Sequence, residues 1–110
     1  MSTLPRVVEI LTKIKNRPAM FLRRPDDITS LDTLLMGFEM GVVAGSGRED
    51  MRHARCLFAA MRAHGYTSDP AAGDIYDQIR KRGMSPEMII QERLMLEIEA
   101  WEIYFADEAE

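Results

Sequence analysis

The side chains of this chain that can bind a metal or transfer a proton include two histidines and a cysteine in one predicted helix. His53 and Cys56 are three residues apart, and His64 lies eleven residues beyond His53. At 1.5 Å of rise per residue the two histidines are roughly 16 Å apart, so they cannot share a metal ion. His53 and Cys56 can touch, but a structural zinc site uses four ligands. We expect a surface histidine beside a half-buried cysteine.

A second chemical pair, Arg93 and Glu97, has the i, i+4 spacing of side chains that meet on one helix face. Two apolar stripes flank this pair: Ile90, Leu94, Ile98, Trp101 and Phe105 on one side, and Ile89, Leu96, Ala100 and Ile103 on the other. Such a broad apolar arc predicts burial of the pair between packed helices. One interpretation is a structural ion pair shared with Arg17. The other is a polar pocket that recognises a ligand or a partner side chain.

No other pattern indicates catalysis. Asp26-Asp27 and Asp74-x-x-Asp77 are carboxylate pairs at helix starts, where capping and the helix dipole account for them. The Gly45-Ser46-Gly47 stretch follows a helix and lacks the lysine of a phosphate-binding loop. We therefore predict that the chain is not an enzyme and that it uses no metal and no cofactor.

Composition and charge narrow the class of protein. The 110 residues suit one domain, 1–110, and the single cysteine fits a reducing cytoplasm. The N-terminal residues do not resemble a signal peptide, and no apolar run reaches the roughly 20 residues that span a bilayer. The net charge of −4 argues against nucleic acid as a partner. The charge is unevenly distributed, with +5 over residues 1–24 and −7 over residues 85–110. Either the two ends neutralise each other within the fold, or one of them meets an oppositely charged partner.

Apolar periodicity predicts an all-α fold, a compact single-domain bundle of about five helices with a long C-terminal helix. The fifth helix is expected to pack against the first three. The predicted helices run from about Pro5 to Lys15, Ser30 to Ala44, Glu49 to His64, Asp74 to Arg82 and Pro86 to Phe105.

Local signals add expectations about the second and third helices. Ser30 is the predicted N-cap of the second helix, and Gly37 and Gly41 within it predict the close approach of another backbone. The third helix is expected to end at Gly65. Its predicted inner face consists of Met51, Ala54, Leu57, Phe58 and Met61.

The segment between the first two helices, residues 14–25, contains two prolines and predicts a short non-helical bridge. We expect Met20, Phe21 and Leu22 to close one end of the core. Arg17, Arg23 and Arg24 are expected to face the acidic fifth helix.

The same region resembles a pattern found in small bacterial proteins of about this length. An I-K-x-R-P-x-M-[YF]-L segment is followed there by an S-L-x-x-L-L-x-G-[FY] helix. The matching residues here are Ile14-Lys15, Arg17-Pro18, Met20-Phe21-Leu22, Ser30-Leu31, Leu34-Leu35 and Gly37-Phe38, whereas Ala19 and Arg23 replace common glycines. The pattern is associated with uncharacterised proteins of toxin–immunity neighbourhoods, so the resemblance implies binding of a cognate toxin and carries over no catalytic residue.

These observations predict a non-enzymatic protein-binding module whose acidic helical face engages a basic partner. That face consists of Met88, Glu92, Met95, Glu99 and Glu102. The alternative is a homo-oligomeric structural or regulatory protein that buries Met36 and Met40 between subunits. A third hypothesis places a ligand or substrate at the Arg93–Glu97 pair, and it requires a cavity beside that pair.

Overall fold

The computed structural model describes residues 4–24, 26–46 and 52–106. These residues form six α-helices and one short 3₁₀-helix, with no β-strand among them, which confirms the all-α prediction. The α-helices are α1 (Leu4–Asn16), α2 (Pro18–Phe21), α3 (Ile28–Ser46), α4 (Arg52–Ala63), α5 (Ile75–Lys81) and α6 (Pro86–Ala106), and the 3₁₀-helix is Pro70–Ala72. No helix in the described ranges is long and apolar enough to cross a membrane.

The connection between α1 and α3 differs from the predicted bridge. Helix α1 ends before Pro18 as expected, but Pro18 then occupies the first turn of the four-residue helix α2, since proline needs no hydrogen-bond acceptor there. Leu22 is buried and closes the core, whereas Met20 and Phe21 are exposed. The prediction that all three are core plugs is therefore wrong for two of them.

Arg17 and Arg24 also depart from expectation, because their contacts among the described residues lie within this connection rather than on α6. Arg24 lies 3.8 Å from Asp26, and Arg17 Nη1 lies 4.0 Å from the sulfur of Met20. A polar contact with α6 is made just before this connection, at the end of α1, where the side-chain amide of Gln91 donates to the Lys15 carbonyl oxygen at 2.7 Å.

Helix α3 begins earlier than predicted, and Ser30 is not its N-cap. The backbone N–H of Ser30 donates to Asp27 Oδ1 at 3.0 Å, so Asp27 caps the helix. This hydrogen bond lowers the pKa of Asp27. At Gly37 and Gly41, apart from the flanking residues and the backbone of α3 itself, no atom of the described residues lies within 4 Å of the position that a Cβ would take, so the predicted close approach of another backbone is also wrong.

The turns that follow α4 and α5 agree with the sequence signals. Gly65 and Gly83 have φ values of 85° and 82°, the left-handed conformation that glycine adopts without strain at a helix end. Asp74 accepts from the N–H of Asp77, and the Asp77 carboxylate accepts from the N–H of Asp74, forming a capping box. Both acids are thus structural, as predicted.

Helix α6 is the centre of the packing. It contacts α1, α3, α4 and α5, and it contributes to both of the hydrophobic clusters that make up the core. The first cluster joins it to α1, α3, Leu22 and Cys56 of α4, and the second joins it to α4 and α5. Because both clusters share α6, its central residues are enclosed on more than one side, which buries Arg93 and Glu97.

The third predicted helix, now α4, presents a different face to the core than expected. Its buried residues are His53, Cys56, Ala60 and Met61. Phe58, a member of the predicted inner face, is 41% exposed. Met51 and the predicted helix start at Glu49 lie outside the described residues.

Candidate functional site

The Arg93–Glu97 pair on α6 is buried as predicted. Arg93 Nη1 lies 2.8 Å from Glu97 Oε1, and the two side chains are 8% and 1% exposed. The two groups are close but not aligned for a hydrogen bond: Arg93 Nε, Arg93 Nη1 and Glu97 Oε1 have no hydrogen-bond partner among the described residues. The contact is therefore an ion pair with unused hydrogen-bonding capacity.

His53 of α4 connects this pair to α3. Its Nε2 lies 2.7 Å from Glu97 Oε2, and its Nδ1 lies 2.8 Å from Glu39 Oε1. Its ring packs on the indole of Trp101, with 4.4 Å between the ring centroids and 36° between the planes. The expectation of a surface histidine is wrong, because His53 is 6% exposed and Cys56 is buried as well.

The surroundings shift the pKa values of two members of the buried network formed by Arg93, Glu97, His53 and Glu39. Burial lowers the pKa of His53, but the hydrogen bond to Glu97 and the charges of Glu97 and Glu39 outweigh burial and raise it. Burial likewise raises the pKa of Glu97, but the hydrogen bond with His53 and the charge of Arg93 lower it below its usual range. The raised pKa favours the protonated form of His53, and in that form Arg93 and His53 balance the carboxylates of Glu97 and Glu39.

The network lies beneath a cleft of about 240 Å³ between α3, α4 and α6. All four network residues line it, and Asp32 adds a third carboxylate. The remaining lining residues are apolar: Leu35, Met36, Ala54, Leu57 and Phe58. A cavity therefore adjoins the ion pair, which is the condition that the ligand-binding hypothesis requires.

Tyr76 of α5 contacts one of the carboxylates of the cleft. The Tyr76 hydroxyl of α5 donates to Asp32 Oδ1 at 3.0 Å. Burial and the neighbouring Asp32 carboxylate raise the pKa of Tyr76, with the charge of Arg93 opposing them. Tyr76 therefore stays neutral and keeps its proton available for this hydrogen bond.

The contacts of His53 limit the chemistry that its imidazole can perform in this arrangement. Both ring nitrogens of His53 face carboxylates, so neither is free to take a proton from a substrate. No group of three or more metal-binding side chains suited to a metal ion occurs in the described ranges. What remains accessible are carboxylate oxygens of Asp32 and Glu39 beside apolar walls.

The five residues of the predicted acidic face lie in one line along the surface of α6. Met88 and Glu102 are exposed, and Glu92, Met95 and Glu99 are partly exposed. Two of the carboxylates also have intramolecular contacts, which the lone sequence does not reveal. Glu92 accepts from the Tyr66 hydroxyl at 2.6 Å, and Glu99 lies 2.8 Å from His64 Nε2.

These contacts immobilise that face. Burial and the hydrogen bond to Glu92 raise the pKa of Tyr66 to about 12. Arg82 packs on the same ring, with its guanidinium carbon 3.7 Å from the ring centroid. Tyr66 is thereby held in place, and Glu92 with it.

Sequence reasoning missed His53, Glu39 and Asp32 as members of the cleft. His53 is three residues from Cys56 and seven from Ala60, which is the spacing of one helix face. That spacing was the available signal, whereas nothing local links Glu39 to either α4 or α6. No protein-family model matches this chain, and neither the curated proteins nor the solved structures contain one that is detectably similar to it.

Proposed function

We propose that this chain is a non-enzymatic, cytoplasmic protein-binding module of the immunity or antitoxin kind, which engages a basic partner protein through the acidic face of α6. The observation that carries the proposal is the line of Met88, Glu92, Met95, Glu99 and Glu102 at the surface. These residues belong to the segment in which the chain's negative charge is concentrated.

The contacts of this face suit binding. Glu92 and Glu99 are oriented by Tyr66 and His64, so their carboxylates lose little conformational freedom when a partner arrives. Carboxylates on one face attract a basic surface from a distance and raise the association rate. Met88 is 55% exposed and supplies apolar area that can be desolvated at the contact.

The resemblance of residues 10–38 to proteins of toxin–immunity neighbourhoods is consistent with this role. In such neighbourhoods the partner is encoded beside the binding protein. The test is therefore to produce the basic protein encoded next to this chain's gene and to measure its association by surface plasmon resonance at several salt concentrations. We expect binding that weakens as salt rises, because screening removes the steering.

Charge reversal locates the surface. Glu102→Lys changes an exposed carboxylate and should slow association without unfolding the chain, and adding Glu92→Lys and Glu99→Lys should slow it further. Glu9→Lys on α1 is the matched control for Glu102→Lys, because both substitutions make the same change of net charge. If the triple variant binds the partner as tightly as the parent does, the α6 face is not the binding surface. If no basic neighbour binds at all, the function itself is wrong.

One observation favours a second candidate function, a homo-oligomeric structural or regulatory module. Met36 and Met40 of α3 are 57% and 66% exposed, and Gly37 and Gly41 on the same helix have open space around them among the residues that the structure describes. A second copy of α3 has room to approach this surface and bury the methionines in a two-fold interface. Light scattering distinguishes the two functions: a dimer that Met40→Glu dissociates favours the oligomer, whereas a monomer at high concentration excludes it.

A further inference from the structure

We infer that the cleft between α3, α4 and α6 is a recognition pocket for an arginine side chain of the partner protein. This inference rests on the proposed function and adds to it a second contact surface, away from the α6 face. It joins three observations: the charge of the cleft, the burial of its positive groups and the apolar residues at its rim.

The cleft carries an excess of negative charge. Within the network, Arg93 and His53 balance Glu97 and Glu39, and Asp32 adds one further carboxylate. The two cations are buried, with side chains 8% and 7% exposed, whereas the Glu39 side chain is 36% exposed and Asp32 is exposed. A molecule that enters from solvent therefore meets carboxylates first, and charge complementarity selects a cation.

Those carboxylates retain hydrogen-bonding capacity. Glu39 uses Oε1 towards His53, and Asp32 uses Oδ1 to accept from Tyr76. An ionised carboxylate has two oxygens and about four acceptor positions, so each residue keeps acceptors for an incoming N–H group. Their existing contacts also hold both carboxylates in place before a ligand binds, which reduces the entropy lost on binding.

The rim of the cleft favours a guanidinium over an ammonium group. Phe58 and Met36 both line the cleft and are 41% and 57% exposed. A guanidinium is planar and weakly hydrated, and it stacks on aromatic rings, whereas an ammonium is compact and strongly hydrated. The aliphatic stem of an arginine can cover Met36 while its head stacks on Phe58 and donates to Glu39 and Asp32.

The surroundings of Phe58 extend the pocket. Phe58 and Leu57 also line a second, more apolar groove of about 490 Å³ that runs to Pro70, Gly73 and Ile75. The aromatic ring thus lies between an acidic depression and an apolar one. A partner segment with an arginine beside an apolar residue can place the arginine in the acidic cleft and the apolar residue in the neighbouring groove.

The experiment titrates the full chain with N-acetyl-arginine amide and follows backbone amide shifts by nuclear magnetic resonance. We expect saturable shifts at millimolar concentration for residues of the cleft, including Glu39, His53 and Phe58. N-acetyl-citrulline amide is the matched probe, because it has the same shape without the charge. Equal shifts with both probes, or no saturable shift with arginine, would overturn the inference.

Variants test the roles of individual side chains. Glu39→Gln should lower the affinity of the chain for the arginine probe by about tenfold, because it removes a charge-assisted hydrogen bond. Phe58→Ala should weaken it by about threefold through loss of stacking. Asp32→Asn provides a second carboxylate variant if Glu39→Gln disturbs the fold, and Glu9→Gln on α1 is the control that should leave the probe unaffected. Unchanged affinity in a folded carboxylate variant would refute the pocket.

The outcome is separable from that of the proposed function. A partner that depends on Glu102 but binds Glu39→Gln normally leaves the α6 face in place and refutes the arginine pocket in the complex. A cleft that binds the arginine probe in a chain that no basic neighbour recognises refutes the proposed function instead.

Discussion

Replacing Glu97 with glutamine tests whether the buried network depends on compensated charge. Glu97 is 1% exposed and lies 2.8 Å from Arg93 Nη1 and 2.7 Å from His53 Nε2. The substitution keeps the shape but leaves the buried Arg93 guanidinium, and His53 when it is protonated, with only Glu39 to balance them. Breaking a buried ion pair in this way costs about 3–5 kcal/mol. A chain of this size has a total stability of about 5–15 kcal/mol, so Glu97→Gln is expected to remove a fifth of it or more.

The assay is urea unfolding followed by circular dichroism at 222 nm. With a slope of about 2 kcal/mol per molar urea, the midpoint should fall by about 2 M. Glu102→Gln on the exposed face of the same helix is the control, with an expected change of no more than about 0.5 kcal/mol. The double variant Arg93→Met with Glu97→Leu removes one charge of each sign and should recover most of the loss, because apolar replacement of a buried pair is often nearly neutral. A loss below about 1 kcal/mol for Glu97→Gln would refute the reasoning.

Two further predictions concern pH and glycine. Because the pKa of His53 is raised on folding, its contribution to stability is fully present below the unfolded value of 6.5 and is lost as pH rises through the folded value. Because the pKa of Glu97 is lowered on folding, its contribution is present above the unfolded value of 4.5 and is lost as pH falls through the folded value. The urea midpoint should therefore be highest between pH 4.5 and 6.5. His53→Gln should reduce the fall of the midpoint on the alkaline side of this maximum. A midpoint that keeps rising above neutral pH would contradict the linkage. Gly37→Ala should raise the free energy of unfolding by up to about 1 kcal/mol, since it lies in an open helix interior, whereas Gly83→Ala should lower it by about 1 kcal/mol because its φ is 82°. Thermal unfolding of both variants checks this, and two shifts of the same sign would count against it.

Local sequence signals predicted the features that depend on neighbouring residues. Helix α6 begins at Pro86 as predicted, and the Ser85 hydroxyl before it accepts from the Met88 N–H at 3.3 Å. The glycine that ends α4, Gly65, likewise has the predicted backbone conformation. Periodicity on α6 was sufficient to place Arg93 and Glu97 inside the core, because an arc of apolar residues encloses them on both sides.

Features that depend on distant contacts were not predictable in the same way. Hydrophobicity alone assigned Phe58 to the core and His53 to the surface, and the structure has them the other way round. A histidine can be buried here only because Glu39 and Glu97 supply hydrogen bonds and charge from other helices. Its burial is therefore a property of the tertiary structure, as is the cleft that it underlies.

Because His53 stacks on Trp101, the intrinsic tryptophan fluorescence of the chain should report the protonation of His53. Trp101 is the one tryptophan in the sequence and is fully buried. An excited indole passes an electron to a protonated imidazole far more readily than to a neutral one, and the two rings lie 4.4 Å apart. The fluorescence of the unlabelled protein should therefore dim as His53 gains its proton and brighten as it loses it. A cation that enters the cleft and competes for Glu39 would register in the same emission, without any label on either molecule.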